Sequence, residues 1–223
     1  MAPSRSNMTD AGSSETAAHD YVGEPETAAD MPEQPLSVID LLLAAVVVEG
    51  LVAAIAVGLA WLLEVDLAGQ IRGTSAGWLA GLLWTLPMFA LFLAAIWSEW
   101  RPLVEIRTFL EKSLGPALVR ASHFTLLFVA LSAGVCEELL FRGVLQQVIG
   151  LVWSSLLFGI LHAATPTYAA IASLLGMFLG WEMLSTGDLV APMLTHSLYD
   201  WLAFLELRRR YRRRLASISA DGR

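Results

Sequence analysis

Two adjacent glutamates and an arginine, Glu137, Glu138 and Arg142, stand in residues 133–145 (AGVCEELLFRGVL), a segment otherwise soluble in lipid. Ionisable groups inside an apolar span are costly to bury and mark functional positions. Glu49, His162, His196 and Asp200 are in the same situation. Glu138 and Arg142 are four residues apart, share one helix face and can pair. Glu137 is five residues from Arg142, about 140° round an α-helix, so it needs a partner on another helix. His162 and His196 are available. His162 closes FGILH, with Phe158 one turn before it, and His196 opens HSLYD, with Asp200 one turn after it.

A carboxylate joined by two imidazoles supports hydrolysis. In an apolar site a carboxylate binds protons more readily than in water and can take one from a water molecule near pH 7. A neighbouring imidazole can share that water or donate to a developing oxyanion. Glu and His are also zinc ligands, so Glu137, His162 and His196 are the set that could hold a divalent metal such as zinc. The residues leave a bare and a metal-bound water equally open and fix no cofactor. Nucleophilic alternatives are weaker. Cys136 adjoins Glu137 but points about 100° away on a helix and reads as a small apolar filler. As the single cysteine it can form neither a disulfide within the chain nor a cysteine-based zinc site. No GxSxG or glycine-rich phosphate loop is present. Glu49 has no evident partner. Glu182 and Asp188 are expected near span ends, within reach of water.

The elements that must position these groups are membrane helices. The 223 residues are 56% hydrophobic and only 16% charged, well short of the roughly 25% of a soluble domain. The net charge of −7 conceals segregation: the first 35 residues hold seven acids against Arg5, and the last 16 hold seven arginines. Apolar blocks near 37–63, 76–97, 121–145, 148–166, 168–185 and 189–207 each approach the ~20 residues that cross a bilayer. The expected fold is therefore all-α, a polytopic membrane protein of about six transmembrane helices. Residues 98–119 are more polar, with Leu103, Ile106, Phe109 and Leu110 at helical spacing, and suit a surface helix lying on the membrane. Residues 1–35, rich in Ala, Ser, Thr, Glu and Pro, read as a disordered acidic tail and not as a signal peptide. The first apolar block is then an uncleaved anchor.

Four domains follow: 1–35, the acidic tail; 36–120, N-terminal helices and surface helix; 121–207, a core carrying the candidate site; 208–223, a basic tail. Arg101, Arg107, Lys112 and Arg120 flank one side of the membrane, and RRRYRRR (208–214) falls on the same side if there are six spans. By the positive-inside rule both termini are cytoplasmic. The arginine tail reads as a topology anchor against the lipid bilayer, with no nucleic-acid role. A rise of about 1.5 Å per residue brings Glu137, His162 and His196 to within roughly 10 Å of one another in depth, near mid-bilayer.

EELLFR (137–142), FGILH (158–162) and HSLYD (196–200) occur in this order, each on its own apolar block. Together they match EExxxR, FxxxH and HxxxN/D, and the segment 121–207 resembles the CPBP intramembrane proteases, the CaaX-protease and bacteriocin-processing type. The resemblance implies a helical intramembrane endopeptidase acting on a membrane protein or peptide, with lipidated substrates one class in the family. The expected location is the plasma (inner) membrane. The resemblance makes Glu137 the base that activates water, assisted by His162, with His196 and Asp200 stabilising the oxyanion or helping to hold a metal. Glu138 and Arg142 become a supporting pair, with Phe158 beside them. Asp200 stands where many members have Asn, and Asp donates no hydrogen bond unless protonated. Two other functions use the same residues: a proton or metal transporter with a Glu/His path, and a catalytically silent scaffold.

Overall fold

The computed structural model describes residues 36–221; the expected disordered tail, residues 1–35, lies outside the described residues. Among the described residues the chain is entirely helical, without strands. The helices are α1 (Val38–Ala44), α2 (Gly50–Leu62), α3 (Leu67–Gln70), α4 (Ser75–Ile96), α5 (Arg101–Arg120), α6 (His123–Glu138), α7 (Gln146–Leu161), α8 (Pro166–Thr186) and α9 (Val190–Asp221). π-helical turns at Ala45–Glu49 and Leu139–Leu145 join α1 to α2 and α6 to α7.

Helix starts are written in the sequence as small polar caps. Ser37 and Asp40 form a reciprocal capping box, and Thr74, Ser122 and Thr165 each accept a hydrogen bond from the backbone N–H three residues on. Pro166 opens α8, where its missing N–H costs nothing. The sequence expectation that it closes the preceding block is corrected: α7 already ends at Leu161, capped by His162. Gly187, in the left-handed conformation at φ 61°, ends α8.

Among the described residues four stretches are long and apolar enough to cross a membrane: Val38–Leu62, Ser75–Ile96, His123–Leu161 and Pro166–Thr186. The third contains two of the expected blocks. At about 1.5 Å per residue, a straight helix would put Phe141 and Ser154 some 20 Å apart. Instead Ser154 Oγ donates to Phe141 O at 2.7 Å, and the rings of Phe141 and Phe158 meet edge to face at 4.9 Å. The chain folds back at Gly150, whose φ of 81° and ψ of 167° suit glycine alone. A hairpin built on one residue needs no loop, which is why the interval 143–150 is so short. The sixth block lies in α9, where His196, Asp200 and Glu206 hold it below the apolarity of the other spans. The protein is an integral membrane protein by these spans.

Close helix approach comes from small residues. A Cβ on Gly134 would run into Ser197, one on Gly159 into Ser173 and the Ala169 carbonyl, and one on Gly81 into Leu194 and the Ala191 carbonyl. These positions draw α6, α7 and α4 onto α8 and α9, around the candidate site. The amphipathic α5 turns its apolar face inward. Ile106, Ala117 and Leu118 are buried, whereas Phe109 faces outward. Arg208 Nη1 reaches Ala121 O, Arg212 Nη2 donates to Val119 O, and Arg210 pairs with Glu111. The basic segment is therefore a helical continuation of α9 packed on α5.

Candidate active site

Glu137 and Glu138 end α6, where the backbone passes into the π-helical turn. Such turns cluster at functional sites. The two neighbours diverge. Glu138 is fully buried, and its Oε1 accepts from Arg142 Nη1 at 2.8 Å. Arg142 in turn donates through Nη2 to Gly176 O at 2.8 Å and lies over the Phe158 ring at 4.9 Å. The i,i+4 pair expected from spacing is present.

Glu138 has a second partner that spacing did not show. The same Oε1 lies 2.8 Å from His196 Nδ1. A carboxylate only accepts, so His196 donates from Nδ1 and its Nε2 is directed elsewhere. That Nε2 lies 4.0 Å from Glu137 Oε2 and 3.6 Å from Asp200 Oδ2. On α7, His162 Nδ1 is 2.8 Å from Phe158 O, and the imidazole stacks on the Phe158 ring at 4.3 Å. A carbonyl also only accepts, so His162 Nε2 again faces inward, 3.6 Å from Glu137 Oε2. Glu137, His162, His196 and Asp200 thus converge from α6, α7 and α9. Oε2 of Glu137 is buried and has no direct hydrogen-bond partner.

The site opens into a cavity of about 320 Å³. Its walls are mostly apolar, with Phe92, Leu110, Leu179 and Phe204 among them, and Tyr168 and Tyr199 stand near the four polar groups. Leu103, Ile106 and Leu110 of α5 form one wall, so the helix expected to lie on the surface also encloses the site.

Residues 120–202 match the family model described as type II CAAX prenyl endopeptidase Rce1-like, and every residue of the constellation falls within them. The site-bearing segment is similar to that family. The resemblance carried by the three motifs is the one found. The uncharacterized protein YpbD of Bacillus subtilis (strain 168) is 36% identical over 96 residues, covering 40% of this chain and 49% of the relative. The chain spans about half the length of the curated relative it matches. No solved structure matches it.

Within the matched segment Glu137, His162 and His196 have the right chemistry for zinc, and the 3.6 and 4.0 Å from Glu137 Oε2 to the two Nε2 atoms are only slightly wider than the roughly 3.4 Å between two ligands of one tetrahedral ion. Among the described residues no group of three or more His, Cys, Asp or Glu side chains is arranged to hold one. Two sequence expectations are corrected. Glu182 and Asp188 do not reach water; both are fully buried. Glu182 Oε1 accepts from Thr195 Oγ1 at 2.9 Å. Asp188 accepts from the backbone N–H groups of Arg72, Gly73, Thr74 and Val190 and from Thr74 Oγ1. Glu49, without a partner in the sequence, ends the first π-helical turn and lies within electrostatic reach of Glu137, outside the matched segment. Cys136 is a half-buried free thiol that does not line the cavity.

Proposed function

We propose that this chain is an intramembrane endopeptidase that hydrolyses a peptide bond in a membrane-associated protein or peptide, using a water activated by Glu137. One observation carries the reading: two imidazole Nε2 atoms face a buried Glu137 oxygen that has no direct hydrogen-bond partner. The Nε2 atoms of His162 and His196, each ring donating through Nδ1, stand 3.6 and 4.0 Å from Glu137 Oε2. A water molecule supplies two O–H donors and bridges such distances.

The steps follow from these positions. Glu137 removes a proton from the water as its oxygen bonds to the scissile carbonyl carbon. His162, held by Phe158, accepts the water's second hydrogen bond and fixes its orientation. The carbonyl oxygen becomes an oxyanion beside His196 and Asp200. His196 donates to it from Nε2 when doubly protonated, with Glu137, Glu138 and Asp200 supplying the compensating negative charge. The C–N bond then breaks, and the proton on Glu137 passes to the leaving amine. The apolar walls exclude bulk water and receive the apolar part of the substrate. A lipidated substrate is one class compatible with them.

Residues 121–207 are then the catalytic core and 36–120 its enclosing helices. The basic α5 and the 208–223 segment face the cytoplasm with both termini, in the plasma (inner) membrane. Quantitative proteomics of membrane extracts tests the function. Cells carrying wild type are expected to show truncated membrane proteins that persist uncleaved with Glu137→Gln. Identical terminal peptides in both would overturn the reading.

A further inference from the structure

A second cleft, of about 430 Å³, lies at the end of α4, between α5 and the C-terminal turns of α9. Trp97, Arg107, Glu111, Arg210, Arg213 and Arg214 line it. Among the described residues the cations Arg107, Arg210 and Arg213 face Glu111, which Arg210 Nε already engages at 3.1 Å. Arg210 is also held over the Trp97 ring at 5.1 Å. Arg107 is fixed from the other side, its Nη1 donating to Ile96 O at 2.8 Å. The cleft is therefore an arranged set of guanidinium groups with a net positive charge.

Its depth in the membrane is set by the chain. The apolar span Ser75–Ile96 ends one residue before Trp97, and Trp97 and Trp100 are both well exposed. Tryptophans at such a boundary lie at headgroup level. Leu82, Leu83, Leu86 and Leu91 of α4 are exposed along the span that leads up to it, which suits acyl chains. Guanidinium forks match phosphate oxygens, and basic pockets beside transmembrane helices on the cytoplasmic side take anionic headgroups.

We infer that this cleft is a binding site for the phosphate-bearing headgroup of an anionic phospholipid, with Arg107, Arg210 and Arg213 as its ligands. The inference rests on the membrane spans and the cleft geometry and is independent of the chemistry at Glu137. Arg107 also lines the catalytic cavity, so a bound headgroup would rest against the wall of the active site.

The test is lipid retention by the purified full chain, read by native mass spectrometry after exchange into mixed micelles of phosphatidylglycerol and phosphatidylcholine. Wild type is expected to retain phosphatidylglycerol in preference. Arg210→Gln should weaken that preference by about fivefold, the usual worth of one cation near a charged membrane, and Arg213→Glu, which changes the charge by two, by about twenty-five-fold. Arg209→Gln is the control: Arg209 belongs to the same basic run but pairs with Glu206 and lies outside the cleft, and its preference should stay that of wild type. Equal retention of both lipids would overturn the site, as would wild-type preference in both cleft variants. An equal loss in Arg209→Gln would overturn it too, reducing the effect to the charge of the tail. Displacement by millimolar inorganic phosphate or glycerol phosphate would assign the cleft to a soluble anion instead.

Discussion

His196 Nδ1 and Glu138 Oε1 lie 2.8 Å apart, so a residue paired with Arg142 in the sequence also sets the direction of an imidazole in the candidate site. Removing Glu138 has two separable effects. Glu138→Ala leaves a buried Arg142 without its counter-charge, which costs about 3–5 kcal/mol, and frees His196 to turn. The expected result is a lowered unfolding midpoint in detergent together with loss of cleavage. A variant that keeps wild-type thermal stability would contradict the pairing.

Gly150 is the hinge on which α7 folds back. Its surroundings are open, and a Cβ added there would meet no atom within 4 Å, so substitution acts through the backbone alone. Gly150→Ala is expected to destabilise the protein by about 1–3 kcal/mol, visible as a lower midpoint in thermal or denaturant unfolding. An unchanged midpoint would mean that the turn is not made at this residue.

Asp188 joins the start of α4 to the start of α9. Burial pushes its carboxyl up, but hydrogen bonds from Thr74, Val190 and Gly73 outweigh this and hold it below the usual 3.8. A group with a lowered folded pKa stabilises fully above its unfolded value and loses that contribution as pH falls through the folded one. Wild type should therefore exceed Asp188→Asn in thermal midpoint at neutral pH, with the gap closing as pH falls below about 4. A gap independent of pH would contradict the ionised role.

A water activated by Glu137 alone predicts that catalysis runs without a resident ion. Protein stripped with a strong chelator and shown by elemental analysis to be metal-free should cleave as before. Activity lost on stripping and restored by zinc alone would transfer the water's activation to the metal.

The motif residues were legible because each carries a penalty in lipid. A Glu or His in an apolar run must find a partner, and His162, His196 and Glu137 do find one another. Phe158 under His162 followed from their spacing of four. The Glu138–His196 contact was not legible, since it joins positions 58 residues apart through the π-helical turn and the packing of α6 on α9. The hairpin at Gly150 was displaced for a different reason: Gln146 and Gln147 mark a break between two apolar blocks, whereas the turn falls at a glycine already inside the second block. Burial of Glu182 and Asp188 was missed because proximity to a span end says nothing about neighbouring helices. Thr195 and the amides of residues 72–74 supply those partners from elsewhere in the chain.

The most direct measurement is cleavage of a membrane-anchored peptide by the purified protein reconstituted in liposomes, comparing wild type with Glu137→Gln. Glutamine keeps the shape of the side chain but cannot accept the water's proton. Cleavage should fall by at least about a hundredfold while the variant inserts and unfolds like wild type. Near-wild-type cleavage by Glu137→Gln would contradict the assignment of Glu137 as the base.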